Sequence, residues 1–92
     1  MKTLIELVNV GFGNVVDFQK LIAIINPDSS PAKRMIQHAK EQEQIIDATQ
    51  GRKTKAVLIM ENGQIVLSAL QPDTLAGRAR GDINRKEGMK DE

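Results

Sequence analysis

The sequence predicts one α+β domain: a small, twisted, mainly antiparallel sheet with one main helix and a short second helix. Three observations predict this class. They are short apolar segments rich in β-branched residues, a helix start at a Ser-Pro pair, and an Asn-Gly turn between two apolar runs. Ninety-two residues suit a single domain. We place it at residues 1–80, and we expect residues 81–92 to be a charged, disordered tail.

The first third of the chain is predicted to be mostly strand. Residues 4–10 are β-rich and end at the turn cluster Gly11-Phe12-Gly13-Asn14, after which Val15-Val16 follow. Residues 20–25 form an apolar run without polar alternation, and Asn26-Pro27 ends it. Such a run predicts a strand that is buried on both faces.

The main helix has a clear start signal. Ser30 is predicted to be the N-cap, and Pro31 stands at the first helical position, where its missing N–H costs nothing. Apolar residues recur at helical spacing from Ala32 to Ala39, and polar residues cover the other side. We expect the helix to end near residues 43–44.

The last third contains a hairpin and a short helix. Residues 45–49 are predicted to be a short strand, and residues 56–60 and 65–70 flank Asn62-Gly63, which is the strongest short hairpin signal. The second helix is predicted to run from Pro72 to Arg80. One helix and a short second helix are too few to cover apolar strands on both faces. An apolar face or edge is therefore left over, and burial against another copy predicts a homo-oligomer.

The composition excludes several classes of protein. With no Cys and one His, the chain has no disulfide, no thiolate site and no basis for a zinc site, so no metal or cofactor is expected. No apolar run approaches about 18 residues, which predicts no membrane partner. Glu6 comes too early for the apolar region of a signal peptide, so we expect a cytoplasmic protein.

Catalytic chemistry is poorly supported, and we expect no enzyme, no catalytic residue and no small-molecule substrate. His38 lacks a partner at a spacing typical of catalysis and is expected on the helix surface. Asp47 is expected to be structural, either by capping the turn after it or by pairing with Arg52. Gly11-Phe12-Gly13 lacks the third glycine of a dinucleotide site, so Gly11 and Gly13 are expected to be turn residues.

A basic loop is the strongest functional signal. Gly51 opens a segment that carries Arg52, Lys53 and Lys55 and no acidic residue, between two predicted strands. Such a positive tip attracts DNA phosphates, and neutralising them releases counterions. The alternative is a solvated turn that keeps the protein soluble.

Further cations strengthen this signal. Lys20 begins a strand, while Lys33 and Arg34 oppose the helix dipole in the first helical turn. Residues 20–55 hold seven basic and four acidic residues, a net charge of +3 against +1 for the whole chain. With no Tyr or Trp, stacking of single-stranded bases is disfavoured. A symmetric oligomer repeats the basic loop in every subunit. Several weak DNA-binding sites that are linked in one oligomer bind DNA with higher avidity than one site alone.

Four segments of the sequence form a specific combination and cover roughly residues 5–80 in unbroken order. They are Asn9-Val10-Gly11-Phe12-Gly13-Asn14, Ser30-Pro31-Ala32-Lys33-Arg34-Met35-Ile36, Ile46-Asp47-Ala48-Thr49 with Gly51-Arg52, and Leu67-Ser68-Ala69-Leu70-Gln71-Pro72. Together they resemble the RemA family of small bacterial regulators of the extracellular matrix.

The resemblance implies a transcriptional regulator that binds double-stranded DNA, activates biofilm-matrix operons, forms a ring-like homo-oligomer and has a fold like LytTR-type DNA-binding domains. It places the DNA-contacting positions on Lys20, Arg52 and Lys53 and the proline before the helix on Pro31; Lys33 and Arg34 match the motif. Family members often carry Arg where this chain has Lys at 20, 53 and 55, and an aromatic residue where Gln50 stands. Lys cannot form the bidentate hydrogen bonds that Arg makes to phosphate or guanine. We therefore expect affinity for the DNA backbone to survive these differences better than base-specific readout.

Two alternatives stay open at this stage. One is a homo-oligomeric scaffold whose basic loop does not bind DNA. The other is a binder of a nucleotide or other small molecule at the Gly11-Phe12-Gly13 turn beside Asp47.

Overall fold

The computed structural model describes residues 5–80, so the predicted tail lies outside the described residues. A short 3-10 turn, Phe18–Lys20, separates the second and third strands. The predicted α+β class and both predicted helices are confirmed. In chain order the elements are β1 (Leu7–Gly11), β2 (Asn14–Asp17), β3 (Leu21–Ile25), α1 (Ser30–Glu41), β4 (Ile45–Asp47), β5 (Ala56–Met60), β6 (Ile65–Ser68) and α2 (Pro72–Arg80).

The strands form two sheets. β1 and β2 make an antiparallel two-stranded ribbon, and the other four make a sheet in the order β3-β5-β6-β4. β4 runs parallel to β6, and the remaining pairs in both sheets are antiparallel. The sheets are therefore mainly antiparallel, as predicted.

The β5–β6 hairpin is confirmed, and a four-residue connection closes it. Val57 pairs with Leu67 and Ile59 with Ile65. Gly63 takes a φ of 89°, and the Asn62 side chain accepts a hydrogen bond of 3.0 Å from the Gln64 N–H. The Asn-Gly pair thus serves the turn because Asn bonds to the backbone and Gly accepts the left-handed conformation.

The four-stranded sheet is covered on both faces. On one face, α1 packs Met35, Ile36 and Ala39 against the sheet. On the other face, the ribbon and α2 supply Val8, Val10 and Leu75. Residues of β5 alternate between the two clusters: Val57 belongs to the first and Leu58 to the second, and neither has any exposed surface.

The prediction that residues 20–25 are buried on both faces is wrong. The strand exists, but β3 is an edge strand that pairs with β5 alone. Most of its residues are half-buried, and Ile22 is 66% exposed. Apolar composition predicted the strand correctly but could not show its position at the edge. Lys20 belongs to the 3-10 turn rather than to the strand.

A buried serine joins the ribbon to the larger sheet. The Ser68 hydroxyl donates a 2.8 Å hydrogen bond to the Val10 carbonyl, and its oxygen accepts one of 3.0 Å from the Leu70 N–H. Ser68 has 0% exposed surface. From α2, the Arg78 guanidinium donates to the Asn9 carbonyl at 2.7 Å. The end of β1 is therefore fixed against the residues that follow β6.

The prediction that Ser30 caps the main helix is wrong by one residue. Ser29 is the N-cap: its backbone is extended, and its hydroxyl oxygen accepts a 3.2 Å hydrogen bond from the Ala32 N–H. A cap at Ser30 would need the Lys33 N–H, which already donates to the Ser29 carbonyl at 3.0 Å. Pro31 still lies in the first turn, as predicted. Neither helix within residues 5–80 has the length and apolarity that crossing a bilayer requires.

The two adjacent serines should therefore differ in their effect on stability. Ser29→Ala removes the cap and is expected to lower the free energy of unfolding by about 1 kcal/mol. Ser30→Ala, at an exposed helical position, is expected to leave it unchanged or slightly raised, because Ala favours helices. Urea denaturation of both variants measures the difference, and an equal decrease in both would contradict the assigned cap.

Candidate nucleic-acid interface

The ribbon ends in a tight two-residue turn. Phe12 and Gly13 lie between Gly11 and Asn14 and take φ values of 55° and 79°. Two consecutive positive φ values are typical of the type I′ turn, whose twist matches that of the strands. The Asn9 side chain accepts from the Gly11 N–H at 2.7 Å, and the Asn14 side chain donates to the Gly11 carbonyl at 3.0 Å. The turn joins two strands, whereas a dinucleotide-binding loop joins a strand to a helix.

A second turn of the same kind begins the basic loop. Gln50 and Gly51 have φ values of 54° and 80°, and the Arg52 N–H donates to the Thr49 carbonyl at 2.9 Å. Asp47 holds the start of this turn, since one of its oxygens accepts from the Thr49 N–H at 2.9 Å and from the Thr49 hydroxyl at 2.6 Å. Of the two structural roles considered for Asp47, capping is the one observed.

The environment of Asp47 differs from a buried strand position. Its side chain is exposed, while Thr49 is buried. The hydrogen bond from the Thr49 hydroxyl, followed by that from the Thr49 N–H, holds the pKa of the Asp47 carboxyl below its ordinary value. Partial desolvation opposes this shift, and the charge of Lys40 adds to it. The ionised form of Asp47 therefore supports the turn.

The two turns meet. The Arg52 guanidinium lies over the Phe12 ring, 5.8 Å from its centroid, at a distance suited to a cation–π contact. Around this contact is an open hollow of about 450 Å³ whose lining includes Lys53 and Lys55 and no acidic residue. We call this region the two-turn surface, and it consists of Gly11, Phe12, Gly13, Gly51, Arg52, Lys53 and Lys55.

Two carboxylates lie beside the two-turn surface: Asp47, which holds the start of the second turn, and Asp28. Lys53 and Lys55 also line a smaller hollow that includes Asn26, Pro27 and Asp28, in the connection between β3 and α1. Arg52, Lys53, Lys55 and Asp28 are all exposed. Three cations against these two carboxylates leave the surface with a positive net charge.

Lys20 lies at the other end of the sheet. Its carbonyl accepts from the Glu61 N–H at 2.8 Å, and its side chain lines a shallow hollow with Glu61 and Asn62 at the hairpin turn. Lys55 precedes the five residues of β5 and Glu61 follows them, so the backbone of Lys20 lies about 20 Å from that of Lys55 within one chain. The structure therefore brings Arg52, Lys53 and Lys55 together but not Lys20.

The helix cations are not among the residues that line the hollow of the two-turn surface. Lys33 and Arg34 are exposed at the fourth and fifth positions of α1, near the exposed Pro31; because Ser29 is the cap, Arg34 lies past the first turn in which the sequence pattern placed it. Arg34 lines a groove of about 560 Å³ between α1 and the β5–β6 hairpin. The same groove includes His38, which is exposed as predicted. Within residues 5–80, no three His, Cys, Asp or Glu side chains are grouped so as to hold a metal ion.

Comparison with known proteins covers nearly all of the described chain. Residues 7–79 match the RemA-like family, described as extracellular matrix regulatory protein A-like. The chain belongs to the RemA-like family. The resemblance carried by the four sequence segments is thereby confirmed.

Relatives in this family are about half identical to the chain. A protein of Lachnoclostridium phytofermentans is 52% identical over 85 residues, covering 92% of this chain and 89% of the relative. One of Dictyoglomus thermophilum is 52% identical over 82 residues, covering 89% and 96%. One of Alkaliphilus oremlandii is 48% identical over 83 residues, covering 90% and 89%. All three are named "Putative regulatory protein".

The sequence pattern alone does not identify the roles of two residues, Phe12 in the two-turn surface and Ser68 between the ribbon and the larger sheet. It presents Phe12 only as part of a turn, although an aromatic residue between two glycines is an unusual choice for a turn. It presents Ser68 as part of an apolar strand, and nothing in the local pattern shows that its hydroxyl bonds to a carbonyl 58 residues earlier.

The pKa of Asp47 offers a test of how the second turn is held. Thr49→Val removes the hydroxyl but keeps the side-chain shape and the backbone N–H, so the Asp47 pKa is expected to rise toward its ordinary value. NMR titration of the Asp47 carboxyl carbon measures this pKa, and Thr54→Val provides a control that leaves it unchanged.

The same pair of variants should show a pH-dependent difference in stability. Because the pKa of Asp47 is lower in the folded protein, its contribution is complete above the unfolded-state pKa of about 4. The contribution disappears as the pH falls through the folded-state pKa. The part of the Thr49→Val destabilisation that comes from Asp47 should therefore vanish in acid. An Asp47 pKa that is unaffected by Thr49→Val would contradict the proposed cap.

Proposed function

We propose that this RemA-like chain is a transcriptional regulator that binds double-stranded DNA through the two-turn surface. One observation carries the proposal: Arg52, Lys53 and Lys55, which end and follow the second turn, line a hollow that has no acidic lining residue and that the first turn borders with Gly11 and Phe12. Cations held in this way attract the phosphate backbone, which supplies most of the affinity in nonspecific binding and much of it in specific binding. The regulatory names of the relatives agree with this function.

The backbone of the two turns is open to a ligand. At Gly13 and Gly51, no atom lies within 4 Å of the position that a Cβ would occupy, chain neighbours aside. A phosphate group can therefore approach both turn tips closely while the flanking side chains supply charge. We expect phosphate contacts and DNA bending to give most of the affinity, with shape readout rather than dense base contacts.

Exposed apolar residues support a homo-oligomer. Leu7 and Val15 share the outer face of the ribbon, and both are more than half exposed, as is Ile5 just before β1. Ile22 and Ile46 are exposed on β3 and β4, the two opposite edges of the larger sheet. A contact between the β3 edge of one copy and the β4 edge of the next is head-to-tail, and head-to-tail assemblies can close as rings.

A ring repeats the two-turn surface once per subunit. Two or three phosphate contacts are weak alone but gain avidity when several subunits engage one duplex. Lys20, whose backbone lies about 20 Å from that of Lys55, and the helix cations Lys33 and Arg34 then supply secondary contacts along the same DNA. The family description names regulation of the extracellular matrix. We propose activation of matrix genes as the biological role of this chain and the bacterial cytoplasm as its location.

Charge-removal variants test the proposal. We expect Arg52→Ala, Lys53→Ala to weaken binding to a fluorescent duplex at least about tenfold at 0.1 M salt, since each charge-assisted hydrogen bond contributes about 1.5 kcal/mol or more. The slope of log K against log salt should fall by about 0.9 for each phosphate that the variant no longer neutralises. Lys20→Ala should weaken binding less.

Lys40→Ala is the single-charge control, because it removes one exposed charge from the last turn of α1 and not from the two-turn surface, and its effect on the Asp47 pKa is the smallest of the causes of that shift. Fluorescence anisotropy gives the affinities, and light scattering confirms that each variant keeps its assembly. Wild-type protein that binds no duplex at low salt would overturn the proposal and leave the scaffold alternative standing. Equal weakening in the double variant and the Lys40→Ala control would place the DNA elsewhere.

A further inference from the structure

The turn that contains Phe12 does not require a phenylalanine at this position. Its φ of 55° lies in the left-handed region, which is unfavourable for residues other than Gly, Asn and Asp. Asn is the residue that type I′ turns favour at this position. The chain therefore carries a strained aromatic residue where Asn would be less strained. Backbone strain of this kind is often found at functional positions.

The ring is not used by the core. Phe12 is 51% exposed and belongs to neither of the two apolar clusters. Its ring contacts Arg52, and Lys53 and Lys55 line the same hollow. An exposed aromatic ring surrounded by cations fits a ligand that combines negative charge with apolar surfaces. Double-stranded DNA has this combination, since phosphates flank stacked bases.

We propose that Phe12 inserts into the DNA as an apolar wedge between neighbouring base pairs, while Arg52, Lys53 and Lys55 hold the adjacent phosphates. This inference rests on the proposed DNA-binding function and names the residue that deforms the duplex. Phe is among the side chains that proteins insert between base steps, and insertion unstacks the step and kinks the duplex. The Phe12–Arg52 contact opens at insertion, and Arg52 is released toward a phosphate.

The ribbon is built firmly enough to support a wedge. Three hydrogen bonds hold its tip and its base: Asn9 to the Gly11 N–H, Asn14 to the Gly11 carbonyl, and Ser68 to the Val10 carbonyl. Gly11 itself lies against Leu70, since a Cβ there would stand 3.6 Å from that side chain. A turn held by these hydrogen bonds can keep its conformation when Phe12 is pressed into the duplex, as a bending wedge requires.

The central variant is Phe12→Asn, because Asn suits the turn and removes the ring. The probe is a set of duplexes of about 30 base pairs, with 2-aminopurine at flexible TA steps and a fluorophore pair at the ends. With wild-type protein, 2-aminopurine fluorescence should rise as bases unstack, and the end-to-end distance should fall. With Phe12→Asn both signals should disappear and affinity should fall about tenfold, while the salt slope is retained because the phosphate contacts remain.

Phe12→Leu keeps an apolar wedge and should recover part of both signals, which separates insertion from a general loss of structure. Wild-type protein that binds the duplex without unstacking bases, or Phe12→Asn protein that retains both signals, would overturn the wedge and leave DNA binding through the two-turn surface intact. Dissociation of the Phe12→Asn assembly in light scattering would instead place Phe12 in a subunit contact and also overturn it. Wild-type protein that binds no duplex is the separate failure of the proposed function.

Discussion

The hydrogen bond from the Ser68 hydroxyl to the Val10 carbonyl is the constraint on which the proposed site depends. A two-stranded ribbon is marginal alone, so β1 and β2 need the larger sheet for their stability. Apolar packing supplies attraction but little direction, whereas a buried hydrogen bond fixes both distance and orientation. Because Ser68 also accepts from the Leu70 N–H, one side chain sets the ribbon and the chain after β6 in a single arrangement. That arrangement brings Phe12 to Arg52.

Two turns of the same type then form one surface from distant parts of the chain. Each places a residue other than glycine in the left-handed region, Phe12 in one and Gln50 in the other, with a glycine following. The first turn presents a ring, and the second presents cations. Asp47 and Thr49 stabilise the second turn through hydrogen bonds that are strongest when the carboxyl is ionised. The surface is therefore preorganised by backbone geometry, and binding needs little ordering of the chain.

Sequence reasoning succeeded where the controlling interactions are local. The Asn62-Gly63 hairpin, the helix from Pro72 and the cations after Gly51 all follow from residues a few positions apart. It failed locally at the start of α1, where two adjacent serines offer the same capping group and Ser29 is the cap, and it failed where the answer depends on tertiary position. The apolar pattern of β3 does not show that this strand lies at an edge. Charge counting grouped Lys20 with Arg52 although the length of β5 separates them, and neither Ser68 nor Phe12 has a local signal for its partner.

Amide hydrogen exchange of the wild-type protein, with and without a duplex, tests the central claim most directly. The two turns are predicted to act as one DNA surface, so exchange should slow together in residues 9–14 and 49–56 when DNA is added. Residues 61–64 at the opposite end of the sheet should change less. Protection confined to α1 and the β5–β6 hairpin, with both turns unchanged, would contradict the account.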